Sequence, residues 1–185
     1  MKKLLSLFLL ASACASAHSA TYNLDPMHTS IMFEIDHVIS TNRGRFDKKE
    51  GVVEFDPQAK TGSVSLTLDM TSINTGVPPF NKQLQTKDFF NVEQHPTARF
   101  VADSFVFNGD KVMEVNGNLT MVGKTHPVKL KALRFTCYMN GMLKREVCGG
   151  DFEATINRGA WGIEWGLPRF PDSVRLLLQV EAIKQ

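Results

Sequence analysis

Among 185 residues there are only three cysteines, two tryptophans and two tyrosines, and no block of like charge. Each shortage excludes something. Without a basic run, or a basic stripe interleaved with aromatics, the chain lacks the electrostatic footprint of a nucleic-acid binder. No serine sits in a Gly-x-Ser-x-Gly elbow, which removes the commonest serine-hydrolase signature. The glycines form neither phosphate-cradling loop pattern. No Cys-x-x-Cys, His-x-His or His-x-x-x-His occurs, so redox-active dithiols and the usual metal-ligand spacings are missing. The longest apolar run, Leu4 to Ala11, is too short to span a bilayer as a helix.

That run has another meaning. Lys2 and Lys3 precede it and Ala15-Ser16-Ala17 follows, the basic, apolar and small-x-small parts of a secretory signal peptide; residues 1–17 fit best, with Ser19 and Ala20 as other ends. Ala11-Ser12-Ala13-Cys14 is a poor lipobox, so lipid anchoring through Cys14 is not expected. Export followed by cleavage leaves residues 18–185 as one domain of about 168 residues, enough to enclose a substantial core. Loss of Lys2 and Lys3 leaves 19 basic side chains against 19 acidic ones, a formal charge of zero. Cys137 and Cys148 remain, and an even pair in an exported protein reads as a structural disulfide. Asn140-Gly141 between them is a hairpin signal, so the bridge should staple two neighbouring strands or the mouth of a long loop.

Alternation with period two runs from end to end. Ile31, Phe33, Ile35 and His37 share one face, and the pattern repeats at Gly51–Phe55, Val64–Leu68, Ala98–Ala102, Val115–Met121, Val128–Ala132, Phe152–Ile156 and Val174–Val180. Turn chemistry separates the runs at Asp56-Pro57, Lys60-Thr61-Gly62, Asn108-Gly109-Asp110, Gly123-Lys124-Thr125 and Asn140-Gly141. One interruption, Phe80 to Asp88 after Pro78-Pro79, has helical spacing through Phe80 and Leu84 and suggests a short helix, Phe80 to Thr86. The expected fold is therefore all-β, about eight antiparallel strands and one short helix, closed into a barrel so that no edge stays open. A sandwich shows the same alternation, and the mixture of large and small inward residues favours a barrel with an apolar cavity. Strands of about eight residues at ~3.3 Å each, tilted ~40°, would make it roughly 20 Å tall.

Few residues promise chemistry. His95 and His126 precede prolines and belong to turns; His28 beside Asp25-Pro26 reads as a turn residue, and His37 as a polar group at a cavity rim. Asp25, Glu50, Asp88 and Asp103 have turn or strand-edge readings rather than those of a catalytic carboxylate pair. No catalytic residue, metal site or cofactor is expected. Arg158 to Gly166 carries both Trp161 and Trp165 among three glycines, and reads equally as a plug of one barrel end or as an aromatic flap over an entrance.

Tyr22-Asn23-Leu24-Asp25-Pro26-Met27-His28-Thr29-Ser30-Ile31-Met32-Phe33, His37, Gly44-Arg45-Phe46, Gly51 to Phe55, Ser72-Ile73-Asn74-Thr75, Leu84, Asp88-Phe89-Phe90-Asn91-Val92, Pro96, Phe100, Gly117 to Thr120 and Pro127-Val128 resemble, in this order, the YceI-like family. Phe152 to Arg158, Trp161-Gly162 and Asp172-Ser173-Val174 continue the resemblance, which covers nearly the whole exported chain. It implies a lipocalin-like extended barrel in the bacterial periplasm. The implied partner is a long-chain isoprenoid or similar amphiphile, with isoprenoid quinones prominent. Transient membrane contact and a homodimer are further expectations, as is the absence of any catalytic residue. Thr29 stands where the family commonly has serine, the helix lacks the family's Arg-Asp, and the cysteine pair belongs to only some members. Alternation and resemblance together nominate Ile31, Phe33, Ile35, Phe46, Leu66, Leu84, Phe89, Phe90, Phe100, Leu119, Met121, Phe152, Trp161 and Leu176 as lining, with His37 and Arg158 as head-group contacts. The rival functions are an accessory in quinone or electron-transfer chemistry and a packed, stress-related envelope protein without a ligand.

Overall fold

The computed structural model describes residues 19–185; residues 1–17, expected to be a signal peptide, and Cys14 within them lie outside the described residues. Eleven strands form one antiparallel sheet: β1 (Ala20–Leu24), β2 (Ser30–His37), β3 (Ser40–Phe46), β4 (Lys49–Asp56), β5 (Thr61–Asp69), β6 (Ile73–Asn74), β7 (Thr97–Asn108), β8 (Lys111–Met121), β9 (Lys124–Asn140), β10 (Arg145–Asn157) and β11 (Ser173–Lys184). A helix, α1 (Pro78–Leu84), separates β6 from β7. It begins two residues before the expected Phe80 because Pro78 and Pro79 occupy its first turn, where the fixed proline φ suits a helix and no N–H is missed.

Closure comes from β11. Its last residues pair with β1, Leu24 opposite Ala182, and its first with β2, Leu176 opposite Phe33. The ring β1-β4-β5-β7-β8-β9-β10-β11 is thus a closed eight-strand barrel, and β2, β3 and β6 extend its wall at one end. In effect the first three long strands are each broken once, at residues 25–29, 47–48 and 70–72. The later strands are longer than the alternation alone marked, 11 to 17 residues, which makes the wall about 28 to 43 Å tall rather than roughly 20 Å.

Turn residues act as expected, with one difference. Asp56 accepts the amides of Gln58 and Ala59 at 2.9 Å, an Asx turn. At Asn140-Gly141 the hairpin is present but its loop has four residues, because the Asn140 side chain accepts the amides of both Met142 and Leu143 at 3.0 Å. Below that loop Cys137 and Cys148 face each other across β9 and β10 and are bonded. They are separated by 11 positions along the chain. The expected effect of Cys137→Ser with Cys148→Ser is a loss of about 2 to 3 kcal/mol, read from urea midpoints.

The break at residues 25–29 is clamped onto β11. The Asp25 amide donates to Glu181 O at 2.8 Å, the buried Thr29 hydroxyl donates to the same oxygen and accepts the Glu181 amide, both at 3.2 Å, and Gln179 Nε2 donates to His28 O. His28 Nδ1 lies 2.7 Å from Asp25 Oδ2. This hydrogen bond holds the Asp25 carboxyl below its usual range and the exposed His28 imidazole above its own. A lowered acid contributes stability above its ordinary pKa and loses it as pH falls through the lowered value. A raised histidine contributes below its ordinary pKa and loses it as pH rises through the raised value. The pair is therefore strongest between about pH 4 and 6.5. In an NMR titration His28 should show a midpoint above that of an ordinary histidine, returning toward it in Asp25→Asn.

Candidate functional site

The two ends of the barrel differ. At the end where β9 and β10 meet, aromatics plug the interior: the Phe55 ring lies 6.1 Å from Tyr22, 5.9 Å from Phe107 and 5.6 Å from Phe135. Buried Tyr22 donates its hydroxyl to Glu146 at 2.6 Å, and burial, the first cause, with that carboxylate pushes the phenol far above its usual range. Inside the plug a small chamber of about 90 Å³ has wholly apolar walls, Ile31, Leu66, Phe100 and Phe152 among them.

At the other end, among the described residues, β6 has no strand beyond it, and α1 with residues 85–96 fills the gap before β7. Asn81 Oδ1 accepts from the Thr75 amide and hydroxyl at 2.8 and 2.6 Å, tying the helix to β6. Phe90 donates its amide to Leu84 O, which turns Leu84, Phe89 and Phe90 inward. Within this end lies a cavity of about 490 Å³, walled by β2, β3, α1, Phe89 and Phe90, Ile156 of β10 and the start of β11. Phe33 reaches it by lying over Gly44, where an added Cβ would stand 2.4 Å from the ring.

The connection from β10 to β11, residues 158–172, covers this cavity. Buried Arg158 organises it: Nε donates to Pro171 O at 3.0 Å and Nη1 to Ile163 O and Trp165 O at 2.9 Å each. Burial pushes the guanidinium below its usual range, and Asp172 opposes the shift. Gly166 turns the chain at φ +76, and an added Cβ there would stand 2.5 Å from the Phe170 ring. The result is an aromatic lid. The Phe170 ring stacks on His37 at 4.7 Å and on Trp165 at 5.8 Å, and Trp165 meets Phe89 at 5.3 Å.

The nominated lining residues divide by height. Phe33, Ile35, His37, Phe46, Leu84, Phe89, Phe90, Met121, Arg158 and Leu176 line the large cavity, and Ile31, Leu66, Phe100 and Phe152 the small chamber. Leu119 and Trp161 line neither: Trp161 is buried and donates Nε1–H to Leu119 O at 3.1 Å, so the two pack together as core. Of the two tryptophans of this loop, Trp161 is thus buried and Trp165 is partly exposed on the cavity wall. Three of the Arg158 N–H groups are committed to backbone carbonyls, which makes it a loop clamp first, against its nomination as a head-group contact. His37 is where it was expected, exposed at the rim. Val77, Phe80, Ile163 and Phe170, which lie outside the alternation, also line the large cavity, as do Ile156 and Val174 from the alternating faces of β10 and β11.

Polar groups on the cavity wall are few: Asp36, His37, Asn42, Gln83 and Arg158. Among the described residues one group brings metal-ligating side chains together, Asp25, His28 and Glu181, on the barrel's outside with donor atoms within 4.8 Å. Its first two members are hydrogen-bonded to each other, so the geometry is that of a closed pair.

A family model for the YceI-like domain matches residues 22–182. The chain belongs to the YceI-like family. Among relatives of this YceI-like chain, a UPF0312 protein of Pseudomonas paraeruginosa is 33% identical over 192 residues, covering 100% of both chains. Among solved structures, BcnA of Burkholderia cenocepacia aligns with a TM-score of 0.71 at 26% identity, over 85% of this chain and 98% of its own. A polyisoprenoid-binding domain of Saccharophagus degradans, implicated in plant cell wall breakdown, aligns with a TM-score of 0.62 at 14% identity over 91% and 100%. The fold is therefore shared at sequence identities down to 14%.

Proposed function

We propose that this YceI-like protein is a periplasmic carrier that is exported by its signal peptide and holds one long-chain isoprenoid lipid, such as an isoprenoid quinone or polyprenyl compound, in its barrel. It performs no reaction on the lipid. One observation carries the reading: an apolar cavity of about 490 Å³ that ends at exposed rim residues, within the roughly 300 to 1,000 Å³ of ligand clefts. The polyisoprenoid binding stated for the Saccharophagus degradans domain supports the same ligand class. A barrel packed solid would leave no such space.

Chain burial supplies the affinity, at about 0.8 kcal/mol per methylene, less the cost of association. Titration with isoprenoid alcohols of increasing length tests this. Each added isoprene unit should tighten binding at least tenfold until the cavity is full; an affinity independent of chain length contradicts the proposal.

A further inference from the structure

The β2–β3 hairpin turns on two residues, Val38 and Ile39, between paired His37 and Ser40. Val38 adopts φ +54, a conformation that β-branched side chains rarely enter and that hairpins ordinarily give to glycine or asparagine. Both side chains point into water: Val38 is 73% exposed and Ile39 96%. Neither choice helps folding. Polar turn residues with glycine first would relieve the backbone and remove apolar surface from solvent, so the reason for Val38-Ile39 lies outside the folded chain.

Their position supplies that reason. The hairpin ends beside the cavity mouth, because His37 is on the rim and stacks on Phe170, which stacks on Trp165. Trp165 is 47% exposed, and Val77, which enters α1 on another part of the rim, is 52% exposed. Three elements thus carry apolar side chains out of the mouth, continuous with the cavity wall through Val77 and Trp165. Arg169 adds a cation: its guanidinium lies 5.8 Å over the Phe170 ring, and among the described residues it pairs with no carboxylate. A partly exposed tryptophan with an adjacent arginine matches the interface of a bilayer, where the indole sits at head-group level and the guanidinium meets phosphate.

We infer that this rim is a membrane-docking surface: Val38 and Ile39 insert into a phospholipid bilayer beside Trp165 and Arg169, and seat the cavity mouth on the membrane. The inference rests on the carrier reading and extends it, since a long-chain lipid that leaves the bilayer directly into the mouth never crosses water. The chain lies on the membrane through its loops.

The experiment is co-sedimentation of the purified protein with vesicles of phosphatidylethanolamine and phosphatidylglycerol. It compares the unaltered chain, Val38→Gly with Ile39→Ser, and Met142→Ser, which alters an exposed apolar residue of the β9–β10 hairpin at the opposite end. Loss of two inserted side chains should weaken vesicle binding more than tenfold. In the same variant Tm should hold or rise as the turn relaxes, and lipid already in the cavity should stay. Met142→Ser should bind as the unaltered chain does. Docking through the mouth is overturned if the unaltered chain does not bind vesicles, if the double variant binds as well, if Met142→Ser abolishes binding, or if light scattering shows the rim pairing two copies instead. Lipid in a solvent extract without vesicle binding overturns the docking alone. Rim-dependent vesicle binding with no extractable lipid overturns the carrier reading alone.

Discussion

Leu176→Trp is expected to empty the protein of lipid and leave it folded. Leu176 lies on β11 opposite Phe33 on one side and Ala154 on the other, and its side chain faces the large cavity. Paired residues of an antiparallel ladder share a face, so an indole at 176 enters the cavity over the small Ala154. It takes the place of about four or five ligand carbons, which at about 0.8 kcal/mol each corresponds to more than a hundredfold loss of affinity. Stability should hold or rise, since the substitution fills space instead of creating it. Lipid content by mass spectrometry, with Tm on the same sample, reads both effects. Unchanged lipid content in a folded Leu176→Trp would move the binding site elsewhere.

Arg158→Ala should have the opposite profile, a destabilised protein whatever its load. The guanidinium makes three hydrogen bonds to the carbonyls of Ile163, Trp165 and Pro171, and hydrogen bonds from charged donors are each worth about 1.5 to 3 kcal/mol. Even with relaxation of the loop, a loss of about 3 kcal/mol or more follows, seen as a lower urea midpoint in lipid-free protein. Arg158→Lys should not restore it, because an ammonium cannot reproduce the planar fork that spans three carbonyls. A residue that only met a ligand head group would leave the lipid-free midpoint where it was. The same experiment therefore separates clamp from head-group contact.

Much of the fold was legible because a barrel wall writes its period into the chain. The inward residues at 31–37, 51–55, 64–68 and onward belong to the eight long strands, and paired cysteines around a turn signal located the staple. The breaks in the first three strands were not legible. The three extra residues between Leu24 and Ser30, relative to β11, look like an ordinary turn until the shared partner strand is known. The site was legible only as a set of inward-facing positions. Alternation states which side of the wall a residue takes, and is silent on whether it meets a neighbour or a void. Leu119 faces inward and finds Trp161, while Phe46 faces inward and borders the cavity. The lid was least legible, since the partners of Arg158 and the stack of His37 on Phe170 depend on the path of residues 158–172 and on no local pattern. The sole hint was the density of tryptophan and glycine there.

If the barrel is built around a lipid, solvent extraction of the protein purified without detergent from its own cells, followed by mass spectrometry, will reveal it. The extract should contain an isoprenoid lipid near one molecule per protein, absent from Leu176→Trp prepared in the same way. An extract without lipid, from protein that also takes up no added isoprenoid, would contradict it.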